Sequence, residues 1–364
     1  MTSKTFWFMV KVWFKTFRID LLSTLMAKVT LKTVADEAGL SITTVSRALA
    51  GYDDVNEETR RRIVAIAERL GYQPNLAARH LRSKQTNTIG MVVPRTAHFS
   101  DPFFMELLAG VGRQASEHGY DLLVSAQMRG EEELAAYRRM VAGGRVDGTV
   151  VARVLQHDPR IDYLQQALYP FVAFGQSEDS TYPYIEVDGA DGMYRLVAHL
   201  VEYGHRRFGF VLSPRELAFT ALRRAGYRRA LDDLGLTYDE SYVTEGDLTR
   251  QSGTEAADYL LSLPEPPTAI IACNDQMALG VMQAVRHRGL TVGQDVAVAG
   301  FDDIPAAGGA DPPLTTIRQP IYGIGYRLAD MLVRLIHGEE LEEPQVFLKP
   351  ELIIRASSGQ PRAS

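Results

Sequence analysis

Hydrophobic positions between residues 29 and 72 recur at the spacing of an α-helix, about 3.6 residues per turn. Thr30, Ser41 and Asn56 stand before the three resulting apolar stripes as helix caps. Gly39 separates the first two stripes and supplies the backbone angles of a tight turn. Two short helices around a glycine turn, braced by a third, predict a small all-α helix-turn-helix domain. An ordinary three-helix bundle with an incidental glycine turn is the alternative.

Beyond residue 87 the pattern changes, and short apolar runs alternate with segments of helical spacing. TIGMVV, DLLVSA, GTVVA and PFVAFG are the first of these runs, and FGFVL, TAIIAC and VAVAGFD follow. This alternation predicts parallel β-sheets with helices on both faces. The length allows two α/β lobes with a cleft between them where the strand ends converge.

Motifs that would indicate catalysis are absent from the sequence. It contains no glycine-rich phosphate loop, no HExxH motif and no GxSxG elbow, and no acid and base are paired as glycoside hydrolysis requires. We therefore expect a binding protein, not an enzyme, with no cofactor and no metal ion. Cys273 is the sole cysteine, which excludes an intrachain disulfide and favours a reducing, cytoplasmic location.

Charge is unevenly distributed along the chain. The whole sequence carries a formal net charge of -6, but residues 26–86 carry +3, residues 1–25 carry +3 and the remainder carries -12. A small basic unit in front of a large acidic body indicates a nucleic-acid-binding module joined to a unit of another function.

The first twenty-five residues, 1–25, are rich in aromatic side chains interrupted by charged ones. Their longest apolar run, FWFMV, is far shorter than the roughly 20 residues that span a bilayer. Lys11 and Lys15 lie within the apolar region instead of before it, so the segment is also a poor secretory signal. A membrane-surface helix is an alternative. We interpret the segment as an upstream extension without a structural role, and Met26 as the natural start.

A basic helical segment follows the predicted helix-turn-helix domain. NLAARHLRSK carries Arg79, Arg82 and Lys84 beside the apolar Leu81. Together with VTLKTVADEAGLSITTVSRALAG and VNEETRRRIVAIAERLGYQPN, it resembles the DNA-binding region of LacI/GalR-type transcriptional repressors. The likeness continues to about residue 357. A role in transcription regulation is what this resemblance implies.

The resemblance also implies a domain organisation. The chain would begin with a helix-turn-helix domain at residues 26–73, followed by a hinge helix at residues 74–86. A two-lobed α/β domain, similar to periplasmic sugar-binding proteins, would occupy residues 87–357, and residues 358–364 would form a tail. The chain would cross between the two lobes three times, near residues 188, 318 and 347.

Side chains on the outward face of the second predicted helix suit a DNA groove. The helix is slim enough for the major groove, and the free N–H groups of its first turn can bind phosphates. The resemblance implies that Ile42, Thr43 and Arg47 read base edges. Ile42 and Thr43 favour contact with a thymine methyl group, whereas Arg47 can form paired hydrogen bonds with a base.

The hinge segment is expected to enter the minor groove. By the same resemblance, Leu81 is a wedge that kinks a central base step, and two hinge helices, one from each subunit, pack together there. This implies a homodimer on pseudo-palindromic double-stranded operator DNA. No heptad extension follows residue 357, which favours a dimer over a tetramer. The predicted DNA-binding set, with the residues near phosphates included, is Ser41, Ile42, Thr43, Thr44, Ser46, Arg47, Asn75, Ala78 and Leu81.

Sugar recognition needs apolar surfaces for C–H faces and planar polar groups for neighbouring hydroxyls. Asp101-Pro102-Phe103-Phe104 resembles the NPFF motif of the family, with Asp in place of Asn. Phe103 or Phe104 could stack on a sugar ring, and core packing is the alternative for each. Arg223 matches the family's effector-clamping arginine, and a solvated helix face is its alternative.

Four further positions complete the predicted site. Asn274 stands between a strand and a helix, where it can both cap the helix and contact a ligand. Asp302 is expected as a hydroxyl acceptor at a strand end, Gln319 as a contact near a lobe crossing, and Arg153 as a cleft residue. The predicted effector-binding set is Asp101, Phe103, Phe104, Arg153, Arg223, Asn274, Asp302 and Gln319.

This set of residue types favours a neutral polyhydroxylated ligand, because a phosphorylated ligand would require several clustered cations. We expect a repressor controlled by a small carbohydrate, with an α-glucoside-type sugar suggested by overall likeness. A corepressor system that responds to a nucleobase or another metabolite is one alternative. A sugar-binding module without regulation is another.

Overall fold

The computed structural model describes residues 29–72, 85–95, 101–177 and 180–359. The chain separates into two compact units, Met1–Lys84 and Gln85–Ser364. The helices in chain order are α1 (Leu31–Ala38), α2 (Ile42–Leu49), α3 (Glu57–Leu70), α4 (Pro102–Glu117), α5 (Glu131–Ala142), α6 (Pro159–Gln166), α7 (Gly189–Glu202), α8 (Ala218–Asp233), α9 (Arg250–Leu260), α10 (Asp275–His287), α11 (Pro305–Gly308) and α12 (Ile321–Ile336). The strands are β1 (Thr88–Pro94), β2 (Asp121–Gln127), β3 (Gly148–Ala152), β4 (Phe171–Phe174), β5 (Tyr184–Val187), β6 (Phe208–Leu212), β7 (Val243–Glu245), β8 (Ala269–Ala272), β9 (Ala297–Asp302), β10 (Thr315–Arg318), β11 (Gln345–Leu348) and β12 (Glu351–Ile353). Within the described residues, no helix combines the length and apolarity needed to cross a membrane.

The described part of the first unit, residues 29–72, contains three helices that begin and end at the predicted signals. The Ser41 hydroxyl accepts a hydrogen bond from the Thr44 N–H at 3.0 Å and so caps α2. Gly39 ends α1 with a φ of 65°, a left-handed conformation that favours glycine. The predicted helix-turn-helix arrangement is confirmed. Its buried core consists of Val34, Ala35, Ala38, Val45, Ala48, Val55, Ile63 and Ala67.

The second unit contains two six-stranded sheets, as the alternating pattern predicts. One sheet has the strand order β11-β5-β4-β3-β1-β2, and all of its neighbouring strands are parallel. The other has the order β12-β10-β9-β8-β6-β7, with β12 antiparallel to β10 at one edge. We call the lobe built on the first sheet lobe 1 and the lobe built on the second sheet lobe 2. The predicted two-lobed α/β fold is confirmed.

Three short connections link the two lobes. The first follows β5 at Asp188 and leads into α7 of lobe 2. The second follows β10 at Arg318 and leads into α12, which packs on α4 of lobe 1. The third joins β11 to β12 between Leu348 and Glu351. Phe347, near which the third crossing is predicted, still belongs to β11, because its strand pairing with β5 extends to Leu348.

Helices α4 and α12 of lobe 1 approach each other at backbone distance. A Cβ atom at Gly110 would lie 2.1 Å from the carbonyl oxygen of Tyr322, and one at Gly325 would lie 2.3 Å from that of Leu107. Contacts this short are not tolerated by any side chain, so glycine is required at both positions. The close approach joins the two helices along their length.

Candidate functional site

The solvent-facing side of α2 carries the residues predicted to contact DNA. Val45 and Ala48 are buried against the other two helices and leave the opposite side free. Ile42 is 48% exposed in the first turn, although apolar side chains of this size are usually buried. The six predicted residues of this region lie together on α2 and its cap, with Thr44 and Ser46 half-buried and the other four exposed: Ser41, Ile42, Thr43, Thr44, Ser46 and Arg47.

Arg47 has two partners within its own domain. Its guanidinium lies 2.5 Å from the Asp54 carboxylate and 5.1 Å from the centre of the Tyr52 ring. Both partners belong to the loop between α2 and α3. The predicted hinge contacts Asn75, Ala78 and Leu81 lie outside the described residues.

A cavity lies between the two lobes of the second unit. Six of the eight residues predicted to bind an effector line it, and five residues that the sequence analysis missed line it as well. The predicted lining residues are Phe103, Arg153, Arg223, Asn274, Asp302 and Gln319. The missed ones are Phe174, Gly175, Glu186, Phe219 and Leu248.

Aromatic rings form the lobe 1 wall of the cavity. The Phe103 ring stacks on the Phe174 ring, with 5.8 Å between centroids and 12° between planes. Phe104 is 6% exposed and belongs to the core of lobe 1, where it meets Phe103 edge to face. Phe103 is among the residues that line the cavity, and Phe104 is not. Of the two predicted stacking residues, Phe104 is therefore a core residue.

Asp101 binds Arg153 and is not itself among the lining residues. One carboxylate oxygen caps α4 by accepting the Phe103 N–H at 3.1 Å, and the other lies 2.5 Å from the Arg153 guanidinium. Arg153 also lies over the Phe104 ring, 4.6 Å from its centroid. The Asp101 carboxylate thus holds a cation at the cavity wall.

Arg223 of α8 is the buried cation of lobe 2. Its guanidinium lies 3.7 Å from the centroid of Phe301 and 4.5 Å from that of Phe219, between the two rings. One terminal nitrogen donates to the Cys273 carbonyl, and the other lies 3.9 Å from the Asp302 carboxylate. Its Nε is buried without a hydrogen-bond partner among the described residues. A buried donor of this kind favours a polar ligand group.

Asp302 ends β9 beside the cavity and is 7% exposed. The Gln319 amide donates a hydrogen bond to its carboxylate at 2.6 Å. Burial raises the pKa of Asp302, the Arg223 charge lowers it and the neighbouring buried Asp275 raises it further. Its backbone φ of 126° is rare for a residue other than glycine, a feature frequent at binding sites.

Asn274 caps α10, which is one of its two predicted roles, and it lines the cavity where the predicted ligand contact would be made. Its side-chain oxygen accepts the Met277 N–H at 2.9 Å, and its amide nitrogen donates to the Leu248 carbonyl at 3.1 Å. These two bonds fix the orientation of the amide. The amide nitrogen carries a second proton that neither bond uses, and Asn274 lines the cavity.

Glu186 is the most informative of the residues that the sequence analysis missed. It is 4% exposed on β5, where its carboxylate accepts hydrogen bonds from the backbone N–H groups of Val187 at 2.9 Å and Gln176 at 3.2 Å. Burial raises its pKa to about 7, against smaller opposing contributions from these bonds and from Arg223. The sequence does contain a signal for Glu186, because a single carboxylate inside the apolar strand YIEV is costly to bury and therefore indicates a functional role.

Two of the other missed residues also left a signal in the sequence. Phe174 ends an apolar strand directly before Gly175, and Phe219 stands four residues before Arg223, on the same side of α8. Leu248, in contrast, reaches the cavity from a loop with a φ of 72°, and nothing in the local pattern predicts this. Within the described ranges, no cluster of His, Cys, Asp or Glu side chains is arranged to hold a metal ion.

Comparisons with known proteins cover both units. Residues 30–75 match the family model described as bacterial regulatory proteins, lacI family, and residues 197–358 match that of a periplasmic binding protein-like domain. The chain is 36% identical over 337 residues to the HTH-type transcriptional regulator AglR of Rhizobium meliloti (strain 1021), which covers 91% of this chain and 94% of the relative. Relatives over this length are named as transcriptional regulators and not as enzymes.

Solved structures show the same similarity. A structure described as the transcriptional regulator CelR–cellobiose complex is 33% identical, with a TM-score of 0.70, and covers 91% of this chain and 100% of that one. The lac repressor dimer bound to operator and the anti-inducer ONPF is 30% identical, with a TM-score of 0.81, and covers 91% of this chain and 99% of that one. These similarities include both the helical unit and the two-lobed unit.

Proposed function

Because the chain belongs to the LacI family of DNA-binding transcriptional regulators, we propose that it is a homodimeric repressor controlled by a small neutral sugar. The sugar binds in the cavity between the lobes and changes the affinity for a pseudo-palindromic operator. The single observation that carries the sugar half of this proposal is the composition of that cavity.

The exposed face of α2 supports the DNA-binding half. Ile42 and Thr43 present apolar and weakly polar groups suited to thymine methyl groups, and Arg47 presents a guanidinium suited to two acceptors on one base. The first-turn N–H groups and the hydroxyls of Ser41, Thr44 and Ser46 suit phosphates. From the hinge, Asn75, Ala78 and Leu81 reach the minor groove in the same proposal, with Leu81 as the wedge.

The walls of the cavity support a neutral polyhydroxylated ligand. Phe103 of lobe 1 and Phe219 of lobe 2 offer flat apolar surfaces from opposite sides. Arg153 is paired with Asp101, and Arg223 donates to the Cys273 carbonyl and lies 3.9 Å from Asp302, so both arginines already have partners in the protein and do not form a free cationic cluster for a phosphate. The similar CelR structure is described as a complex with cellobiose, a neutral disaccharide.

Coupling between ligand and operator would work through the angle between the lobes. A ligand that bridges them stabilises one angle and shifts the population toward it. In a dimer, that shift changes the separation of the two hinge segments and therefore their ability to form the DNA-bound helices. A coupling free energy of about 1–3 kcal/mol, or 5- to 150-fold in affinity, is sufficient for regulation.

Operator selection followed by titration tests the proposal. The full chain is first used to select duplexes from a random pool, and its affinity for the best duplex is then measured with cellobiose, maltose, sucrose and trehalose, and separately with purines. We expect one of the sugars to change the operator affinity at least fivefold. A response to purines alone would support the nucleobase alternative, and a sugar that binds without any effect on DNA affinity would indicate a non-regulatory module.

A further inference from the structure

A buried ion cluster lies behind the cavity in lobe 1. Arg160 of α6 is 3% exposed, and its two carboxylate partners, Glu133 and Asp158, are 6% exposed each. Burial opposes the charge on Arg160, but hydrogen bonds and charges from Asp158 and Glu133 outweigh it and raise the pKa of the guanidinium. Arg160 is therefore held as a cation in the interior.

All five N–H groups of the Arg160 guanidinium have acceptors. Nε donates to Asp158 at 2.9 Å, and one terminal nitrogen donates to Glu133 and to the Ala152 carbonyl. The other terminal nitrogen donates to Asp158 at 2.6 Å and to the carbonyl of Arg153 at 3.0 Å. Two of the five donors thus bind the backbone at the end of β3, beside the cavity residue Arg153.

The backbone held in this way has an unusual conformation. Arg153 has a φ of 51°, in the left-handed region that residues with a Cβ seldom adopt. This conformation turns the side chain of Arg153 toward Asp101 at the cavity wall. An external constraint is required to keep a non-glycine residue there, and the Arg160 guanidinium supplies one.

The residues after Arg153 contact lobe 2. The Val154 carbonyl accepts the Ala218 N–H at 2.9 Å, and the Gln156 N–H donates to the Glu216 carbonyl at 2.9 Å. Leu155 forms an antiparallel bridge with Leu217 between these two bonds. The segment organised by Arg160 therefore supplies both a cavity cation and a backbone contact between the lobes.

We propose that Arg160 is a positioning residue for the effector site: through its two backbone acceptors it fixes the conformation of residues 153–156, so that Arg153 faces the cavity. The expected loss of ligand affinity rests on the proposed function, whereas the expected change in the backbone conformation of Arg153 does not. Replacing a buried ion cluster by apolar groups is often neutral for stability, so stability alone does not explain the cluster. A geometric role does.

Two variants of the same cluster separate positioning from stability. Arg160→Lys keeps a cation for Asp158 and Glu133, but an ammonium group cannot reach those carboxylates and both backbone carbonyls at once. Glu133→Gln is the matched control, because it alters the same buried cluster and leaves the bond from Arg160 to the Arg153 carbonyl in place. Thermal melting of both full-length variants reports the shared loss of stability.

Crystal structures of the two ligand-free variants give the first readout. We expect Arg160→Lys to return Arg153 to a negative φ and to separate it from Asp101, whereas Glu133→Gln retains both features. If Arg153 keeps its positive φ and its ion pair in Arg160→Lys, the proposal is wrong, whatever the ligand of the cavity is.

The second readout is the affinity for a sugar. The sugar used is the one that binds the wild type best among cellobiose, maltose, sucrose and trehalose. Arg160→Lys should weaken this affinity by about tenfold, the equivalent of one well-made hydrogen bond, and Glu133→Gln by less than about twofold. In an Arg153→Ala background, Arg160→Lys should cause no further loss. An equal further loss in that background would contradict the proposal that Arg160 acts by positioning Arg153. If the wild type binds none of these sugars, the proposed effector class is wrong, and the crystal structures of the variants decide the proposal about Arg160.

Discussion

Arg47 and Asp54 form an ion pair with 2.5 Å between guanidinium and carboxylate, on the exposed side of the first unit. Side chains of both residues are about half exposed, so water weakens the pair, and it is worth no more than about 1 kcal/mol. DNA can therefore compete for Arg47 at small cost. Asp54 nevertheless acts as an internal acceptor for the residue proposed to read a base.

Arg47→Ala should relax operator discrimination. The loss of a two-acceptor contact with one base corresponds to about 1–3 kcal/mol at a single operator position. We expect affinity for the selected operator to fall and affinity for unrelated duplex to change much less. Fluorescence anisotropy with the operator, with its single-base variants and with random duplex measures this, and a uniform loss on all duplexes would show that Arg47 contacts phosphate.

Asp54→Asn should strengthen DNA binding. The change removes a negative charge beside the DNA-facing helix and releases Arg47 from its internal partner. We expect up to about a fivefold gain, in line with the strength of an exposed ion pair. The gain should shrink when Arg47→Ala is also present, because only the charge effect then remains, and a gain of unchanged size in the double variant would trace to the charge of Asp54 alone.

Arg223→Ala should abolish the effector response without affecting DNA binding. The variant removes the buried donor group of lobe 2, and a charge-assisted hydrogen bond contributes about 1.5–3 kcal/mol, so sugar affinity should fall about 10- to 150-fold. Arg229→Ala is the matched control, because Arg229 lies on the same helix but is exposed and stacks on Tyr194. Parallel losses of sugar and operator binding in Arg223→Ala would mean that the two sites are not separate.

Glu186 should make the stability of the second unit fall as the pH rises from about 4.5 to about 7. Burial raises its pKa from 4.5 to about 7, so the folded state binds a proton that the unfolded state releases in this window. The stabilisation is complete below pH 4.5 and is lost as the pH passes the folded pKa, a change of up to about 3 kcal/mol. Comparison of Glu186→Gln with the wild type by denaturant unfolding across this range isolates the contribution, and identical slopes would contradict it.

His205 should have the opposite effect. Its imidazole is fully buried, hydrogen-bonds the Thr268 hydroxyl at 3.1 Å and lies 3.1 Å from the Gly359 carbonyl. Burial lowers its pKa below 6.5, so its contribution to stability is present above pH 6.5 and is lost as the pH falls through the folded pKa. His205→Gln should flatten the loss of thermal stability on acidification, and an unchanged acid limb would exclude His205 as its source.

The sequence predicted the elements and most of the cavity because local signals determine them. Ser41 and Asn56 are capping residues that stand directly before an apolar stripe, so the sequence shows where their helices begin. Asn274 and Asp302 stand at the ends of apolar strands, and because the ends of parallel strands meet at one edge of a sheet, both are expected beside the cavity. The pattern could not separate Phe103 from Phe104, because that choice depends on how α4 is rotated against its sheet. Nor could it predict that Asp101 binds Arg153, since the two residues are 52 positions apart and the left-handed backbone at Arg153 leaves no signal in the local pattern.

Gly110 and Gly325 leave α4 and α12 no room to slide past each other. The start of α4, with Phe103, is therefore tied to α12, which begins just after the second crossing. We expect lobe 1 to move as one body when a molecule binds, so that a change in the angle between the lobes bends the three connections and leaves the contact between α4 and α12 intact.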